Sequence, residues 1–289
     1  MIFTYTEPMS LFYQGFLPNS LKLNDDTKAE AFLIRLLSGT INIEHEFKSE
    51  IIEQRINYGI IPYQEIVRVS VKPIRDCYAP KTLVDLESYL ISNLQNNSYT
   101  ESILTEVSHF FIAKHHENHL SGFIHLYRLL EFISYSFPIA HASKSENIYG
   151  TFDALKEYFH KEGKELAFLK KFVNVLFKEK PELNLTLEIN VTGVTPQIRN
   201  KIYQTFKRIT QPKQDYINYN DALYQLSLEY KNLVDLAIFL RNRYFHFAMG
   251  GTKNIKTSDI IDPDYFFEHI NNELLNWIYI IYSEIIKQQ

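Results

Sequence analysis

The spacing of apolar residues predicts helices and a strand in the first part of the chain. KAEAFLIRLLSG predicts a helix that ends at Gly39, FKSEIIEQRINYG a second that ends at Gly59, and TLVDLESYLISNL a third. YQEIVRVSV is β-branched and roughly alternating, which is typical of a strand. We therefore expect residues 1–97 to form an N-terminal region of mixed structure.

From Thr100 onward the apolar pattern is mostly helical. Apolar residues recur every three or four positions after Ile103 and again from Leu120 to Phe137, and Pro138 predicts the end of that second helix. LNLTLEINV alternates apolar with polar residues instead, which predicts a short strand near residues 183–191. The pattern thus indicates a mainly α chain with a short β-excursion.

Three further helices are predicted from their first residues. Thr195 and Pro196 are typical of the N-cap and the first helical position of TPQIRNKIYQTFKRI. Asp221 is interpreted as the N-cap of ALYQLSLEYKNLVDLAIFLRNRYFH, and Pro263 opens DYFFEHINNELLNWIYIIYSEII. Long helices joined by a modest loop usually pack antiparallel, so residues 98–289 are expected to form a helical bundle.

Composition narrows the class of protein. The chain has 289 residues, 45% of them hydrophobic, and a formal net charge of -4, so it can bury a core but has no overall basic field. The lone cysteine, Cys77, excludes an internal disulfide and a thiolate zinc site. The first residues do not resemble a secretory signal, and the longest apolar stretch is about half a membrane span. These features predict a cytoplasmic protein without a membrane partner.

One helix end carries polar residues that an ordinary core does not explain. In LRNRYFHFAMGG, Arg241, Asn242 and His246 give the pattern R-N-x-x-x-H. Charged groups are costly in a core unless they are paired. The alternative interpretation is that Arg241 and Arg243 extend to solvent while His246 caps the helix carbonyls.

This motif, with a loop and a second long helix after it, resembles the HEPN superfamily of helical-bundle ribonucleases. The helix HLYRLLEFIS is similar to an early helix of some HEPN defence proteins. The resemblance covers about residues 100–289 and implies a metal-independent endoribonuclease without a cofactor, of a toxin or anti-phage system. It also implies a homodimer that brings two motifs to one cleft, an antitoxin or defence partner, and a sensor or regulatory role for residues 1–97.

The residue types suit RNA cleavage by the RNA's own 2′-hydroxyl. A histidine such as His246 can act as base or acid near neutral pH, while Arg241 offers a cationic fork to phosphate oxygens. Asn242 and His246 lie four residues apart, on one helical face, so the amide can orient the imidazole. The expected products are a 2′,3′-cyclic phosphate and a 5′-hydroxyl. One HEPN variant has a modifiable tyrosine two residues after the histidine, where this chain has Ala248.

Polar residues elsewhere extend the predicted site. Glu131 is expected either to pair with Arg128 or to face the Arg241–His246 cleft and raise the pKa of the histidine. Further RNA contacts are predicted at polar and basic positions on three helices, for which a solvent-exposed helix face is the simpler explanation: Tyr127, Arg128, Arg199, Lys201 and Arg243.

The sequence is also compatible with two other classes of function. One is a non-catalytic binding or assembly module, such as an antitoxin or an accessory subunit. The other is a metal-dependent hydrolase that uses the histidine cluster of AKHHENHLSGFIH, in which His115 and His119 have metal-ligand spacing if they share a helix. The cluster lacks the H-E-x-x-H arrangement, because His116 stands where the glutamate would be. No metal is therefore predicted.

Overall fold

In the computed structural model, the chain forms two compact units. Unit 1 comprises Met1–His116, Ile139–Ser145 and Ile278–Gln289, and unit 2 comprises Glu117–Pro138 and Glu146–Trp277. The predicted boundary between residues 97 and 98 therefore falls inside unit 1. The structure describes residues 2–92, 97–143, 166, 169, 172–174, 184–193, 195–245, 254–257, 260 and 262–287.

The first elements of unit 1 are short strands and helices. β1 (Phe3–Thr6), β2 (Asn42–His45) and β3 (Glu50–Glu53) form an antiparallel sheet in that order, in which Phe3 pairs with His45 and Ile43 with Ile52. β4 (Ile56–Asn57) pairs with β5 (Gln64–Glu65). The helices among these strands are α1 (Leu11–Gln14) and α2 (Ala29–Leu37). The strands confirm the expected mixed character of this part of the chain.

Three later helices also lie in unit 1. They are α3 (Lys72–Tyr78), α4 (Leu83–Ser92) and α5 (Asn97–His115). Helix α2 is apolar on nearly all sides and is almost wholly buried, which explains how so short a helix is stable. It ends as predicted, since Gly39 adopts a left-handed backbone with φ of 75°.

Unit 2 combines long helices with a small sheet. α6 (His119–Ser143) and α9 (Pro263–Lys287) contribute their first parts to it, and α7 (Pro196–Thr210) and α8 (Leu233–Phe245) lie entirely within it. The strands are β6 (Thr186–Asn190), β7 (Ile217–Asn220) and β8 (Gln225–Glu229), in the antiparallel order β6-β8-β7. The mainly α class and the short strand near 183–191 are therefore confirmed.

Three predicted features of the two units can be compared with the structure. The side chain of Thr195 accepts a hydrogen bond from the Ile198 amide, which confirms it as the N-cap of α7. The helix predicted to end at Gly59 is wrong, because those residues form β3 and β4. A Cβ atom on Gly59 would lie 2.1 Å from the Cys77 Sγ atom, so this glycine is required for packing. YQEIVRVSV forms a strand only at Gln64–Glu65.

Two helix boundaries also differ from the prediction. Pro138 does not end α6 as predicted but lies inside it and is buried, although a proline within a helix costs about 3 kcal/mol. The helix expected to start at Asp221 begins only at Leu233. Its first predicted residues instead form β8, in which Leu226 and Leu228 are buried opposite Ile189 and Leu187 of β6. None of the described helices is long and apolar enough to cross a membrane.

Candidate functional site

The first half of α6 places two of the predicted site residues on one face of unit 2. Tyr127 and Glu131 are one helical turn apart, at the i, i+4 spacing that brings side chains together. The start of this helix is fixed by hydrogen bonds to its first amides. Asp264 accepts one from the Leu120 amide at 2.7 Å, and Asn118 accepts one from the Ser121 amide at 3.1 Å.

Helix α8 brings Arg241 to that face. Its guanidinium lies over the ring of Tyr127, with 4.6 Å between the Cζ atom and the ring centroid. Its Nη2 atom is 3.5 Å from the Glu131 Oε1 atom, and its Nη1 atom donates to the Asn242 Oδ1 atom at 3.1 Å. The structure thus brings together Tyr127, Glu131, Arg241 and Asn242, which we call the Arg241 cluster.

The Arg241 cluster lies at the surface of unit 2. The exposed fractions are 27% for the Arg241 side chain and 38% for that of Glu131, whereas Tyr127 is buried. An ion pair at this distance and exposure contributes little to stability, about 0–1 kcal/mol. A phosphate can therefore replace Glu131 on the guanidinium at small cost, because the fork of an arginine matches phosphate oxygens.

The end of α8 is held by aromatic contacts up to its last residue. Phe245 is 40% exposed and stacks on Phe123, with their ring planes at 4° and their centroids 6.4 Å apart. Tyr244 meets Phe267 edge to face at 5.3 Å. The predicted site residue His246 and Ala248 come after this helix and lie outside the described residues.

Arg243 lies on another side of α8 from Arg241, because two residues correspond to about 200° around a helix. Its Nη1 atom donates to the Ile209 carbonyl oxygen at 3.0 Å, and its guanidinium lies 4.8 Å from the ring centroid of Phe239. Burial lowers the pKa of Arg243 from its ordinary value, and the nearby Arg208 guanidinium lowers it further. Arg243 is therefore separate from the Arg241 cluster.

Phe239 also contacts a second cation. The Lys213 Nζ atom lies 5.6 Å from its ring centroid and 5.8 Å from that of Tyr216. Lys213, Tyr216, Phe239 and Arg243 therefore alternate charge and ring along one surface of unit 2, which we call the basic–aromatic ladder. Alternation of this kind suits a nucleic acid backbone and its bases.

The other predicted RNA contacts have different surroundings. Arg199 donates to the carbonyl oxygens of Val191 at 2.7 Å and Leu223 at 2.8 Å, which ties α7 to the ends of the sheet. These bonds favour a structural role for Arg199 over an RNA contact. Lys201 and Arg128 are exposed. Arg241 lies beside Glu131, as one of the two interpretations of Glu131 expected.

The histidine cluster does not have the helical spacing that a metal site would require. α5 ends at His115 and α6 begins at His119, so the two residues are not one turn apart on a single helix. Within unit 1, His115 and His116 each lie 3.0 Å from one carboxylate oxygen of Glu50. The described residues contain no group of three ligands that could hold a metal.

The sequence did not indicate the role of His269. Its Nε2 atom accepts a hydrogen bond from the Thr192 amide at 2.9 Å, and its Nδ1 atom lies 2.8 Å from the Tyr265 carbonyl oxygen, so Nδ1 carries the proton. Burial lowers the pKa of this imidazole from its ordinary value of 6.5. His269 is thus a neutral structural histidine that joins the end of β6 to α9.

Comparison of the chain with protein-family models, with curated proteins and with solved structures found no match.

Proposed function

We propose that this protein is a metal-independent endoribonuclease whose reaction centre contains Arg241, Asn242 and His246. The observation that carries the proposal is the Arg241 cluster itself. Its guanidinium is partly exposed, lies over the ring of Tyr127 and is paired loosely with Glu131. An arginine held in this way is suited to bind a scissile phosphate and to stabilise charge as it develops on the phosphate oxygens.

In the proposed reaction, the 2′-hydroxyl oxygen of the RNA attacks the adjacent phosphorus. The new P–O2′ bond forms as the P–O5′ bond breaks, which leaves a 2′,3′-cyclic phosphate. The 2′-hydroxyl loses its proton and the departing 5′ oxygen gains one, and His246 performs one of these transfers. Arg241 neutralises the phosphorane, and Asn242 orients the imidazole or the phosphate. Glu131 is a positioning residue that acts through Arg241.

The resemblance of the motif to HEPN ribonucleases supports three further parts of the proposal. The fold of unit 2 is HEPN-like, the protein belongs to a toxin or anti-phage system, and it works as a homodimer in which two motifs share one cleft. An antitoxin or defence protein would then keep the nuclease inactive. Native mass spectrometry tests the dimer, for which twice the mass of 34.1 kDa is expected.

The experiment that tests the proposal is cleavage of labelled RNA in excess EDTA. We expect the wild type to cut and His246→Ala to be inactive, while the matched variant His116→Ala, in unit 1, cuts at the wild-type rate. Cleavage that persists in His246→Ala would contradict the proposal. Absence of cleavage by every form would favour a non-catalytic assembly module, and cleavage only without EDTA would favour a metal-dependent hydrolase.

A further inference from the structure

A groove in unit 1 has the size of a small-molecule site. Its volume is about 540 Å³, within the range of about 300–1,000 Å³ that is usual for such ligands. One wall is a single face of α5, formed by Phe111, Lys114 and His115 at i, i+3 and i+4. The opposite wall is the chain from β3 to β5: Ile52, Glu53, Gln54, Arg55, Ile56, Tyr63 and Glu65.

Aromatic rings line one part of the groove. Phe111 and Tyr63 both pack on Tyr58, with ring centroids 6.0 Å and 5.6 Å from it. Tyr58 and Phe111 are both buried, whereas Tyr63 is partly exposed and rests on this fixed support. With Ile52 and Ile56 nearby, this part of the groove offers a surface on which a planar ring can stack.

Cationic side chains line the groove beside these rings. Lys114 donates to the Tyr58 hydroxyl at 2.9 Å, which holds its ammonium group at the edge of the aromatic surface. Arg55 is mostly buried and lies 3.3 Å from Glu53, a carboxylate that is 71% exposed and therefore easily displaced. His115 also lines the groove, but its Nε2 atom lies 3.0 Å from the Glu50 carboxylate. Lys114 and Arg55 are therefore the two groups that can bind an anion.

The backbone that carries Arg55 is already fixed. The side chain of Gln54 donates to the carbonyl oxygens of Leu36 and Ile56 and accepts from the Ile56 amide. Ile56 also pairs with Glu65 across β4 and β5. A ligand would therefore meet a preformed site, which lowers the entropic cost of binding.

We propose that this groove binds a nucleoside monophosphate. The base stacks on Tyr63, which the buried Phe111 and Tyr58 support, and the phosphate binds to Lys114 and Arg55. The ring surface and the anion site lie side by side in one groove, and a phosphorylated nucleoside carries both matching groups in one small molecule. The proposal does not depend on the ribonuclease assignment, because none of these residues belongs to the Arg241 cluster.

Isothermal titration of the full chain with AMP, GMP, CMP and UMP tests the proposal. At least one is expected to bind with a Kd below about 1 mM. The matching nucleoside, which lacks the phosphate, should bind at least about tenfold more weakly than the nucleotide. Ribose 5-phosphate, which lacks the base, should also bind at least about tenfold more weakly. Inorganic phosphate should bind more weakly still. Failure of all four nucleotides to bind, or equal binding of ribose 5-phosphate, would overturn the proposal.

Substitutions in the groove test whether the nucleotide binds there. Arg55→Gln and Lys114→Met should each weaken nucleotide binding at least about tenfold, because each removes a charged donor to the phosphate. Lys72→Met is the matched control, since Lys72 lies on α3 outside the groove and pairs with Asp76. Melting curves show whether Lys114→Met still folds. If it does not, nucleotide binding by Arg55→Gln decides the result. Wild-type affinity in a folded Arg55→Gln would place the ligand elsewhere and overturn the proposal.

Discussion

Each unit contains an arginine that contacts a glutamate, and the two pairs differ in almost every physical respect. In unit 1, the Arg35 guanidinium donates to both carboxylate oxygens of Glu7, at 2.5 and 2.8 Å, and to the Thr40 carbonyl oxygen at 2.9 Å. The Arg35 side chain is 0% exposed. In unit 2, Arg241 meets Glu131 at 3.5 Å and is 27% exposed.

The comparison shows why an arginine–glutamate pair alone does not identify a site. Arg35 is desolvated and held by a bidentate carboxylate, so no solute can replace Glu7 without exposing the core. Arg241 is reachable, and its carboxylate partner can yield to a phosphate. The first arrangement stabilises a fold, whereas the second can take part in binding. The following predictions test this division, starting with the largest effect.

Removal of the buried guanidinium should destabilise the protein most. We expect Arg35→Ala to lower the free energy of unfolding by about 3–5 kcal/mol, because it leaves the Glu7 carboxylate without its partner. Arg241→Ala should lower it by less than about 1 kcal/mol. Urea denaturation of both variants measures the difference. Equal losses of stability would show that the two pairs have the same role.

The rate of RNA cleavage should depend strongly on Arg241, the arginine that contributes less to stability. We expect Arg241→Ala to lower kcat/KM for RNA about 10²–10³-fold, the usual effect of removing a group that stabilises developing charge. Arg241→Lys should restore only part of the rate, because an ammonium lacks the fork. Lys231→Ala, a surface variant of the same unit, is the control. A wild-type rate in Arg241→Ala would exclude this residue from the reaction.

Glu131 should affect the orientation of the Arg241 guanidinium more than it affects the binding of RNA. In Glu131→Gln, we expect kcat to fall about tenfold without a rise in KM, since the released guanidinium still binds phosphate but is less well placed. Glu229→Gln, a surface change in the same unit, should leave both constants unchanged. An increase in KM alone would instead indicate that Glu131 contacts the substrate.

The smallest expected effect is a pH dependence of stability from unit 2. The pKa of His269 is lowered in the folded state, so its contribution is complete above about pH 6.5 and is lost as the pH falls below that value. The unfolded chain then binds more protons than the folded one. We expect His269→Gln to flatten the decline in urea midpoint between about pH 7 and pH 5. If the urea midpoint of His269→Gln declines as steeply as that of the wild type, groups other than His269 cause the pH dependence.

Much of the helical framework could be predicted from the sequence, because local signals agreed with tertiary packing. Gly39 ends α2 and Thr195 caps α7 where their residue types indicated. Helical spacing alone misled at Gln225–Glu229, because Leu226 fits a helical face with Leu223 and Tyr230, whereas Leu226 and Leu228 alternate as in a strand. The strand forms because both residues are buried against partners in β6, which no local pattern reveals.

Less of the candidate site could be predicted. The sequence left open whether Glu131 pairs with Arg128 or faces Arg241, and the proximity of Glu131 to Arg241 arises from the way α6 and α8 pack. The carbonyl contacts of Arg199 and the neutral state of His269 depend on chain segments that are distant in sequence. The groove of unit 1 combines α5 with the β3–β5 segment, and no motif marks it.

The most direct test of the central claim is the chemistry of the RNA ends. Mass spectrometry of the products made in EDTA should find 2′,3′-cyclic phosphates and 5′-hydroxyls, and one 2′-deoxynucleotide at the cleaved position should prevent the cut there. A 5′-phosphate on the products, or undiminished cleavage beside the deoxynucleotide, would show that the 2′-hydroxyl is not the nucleophile and would contradict the account.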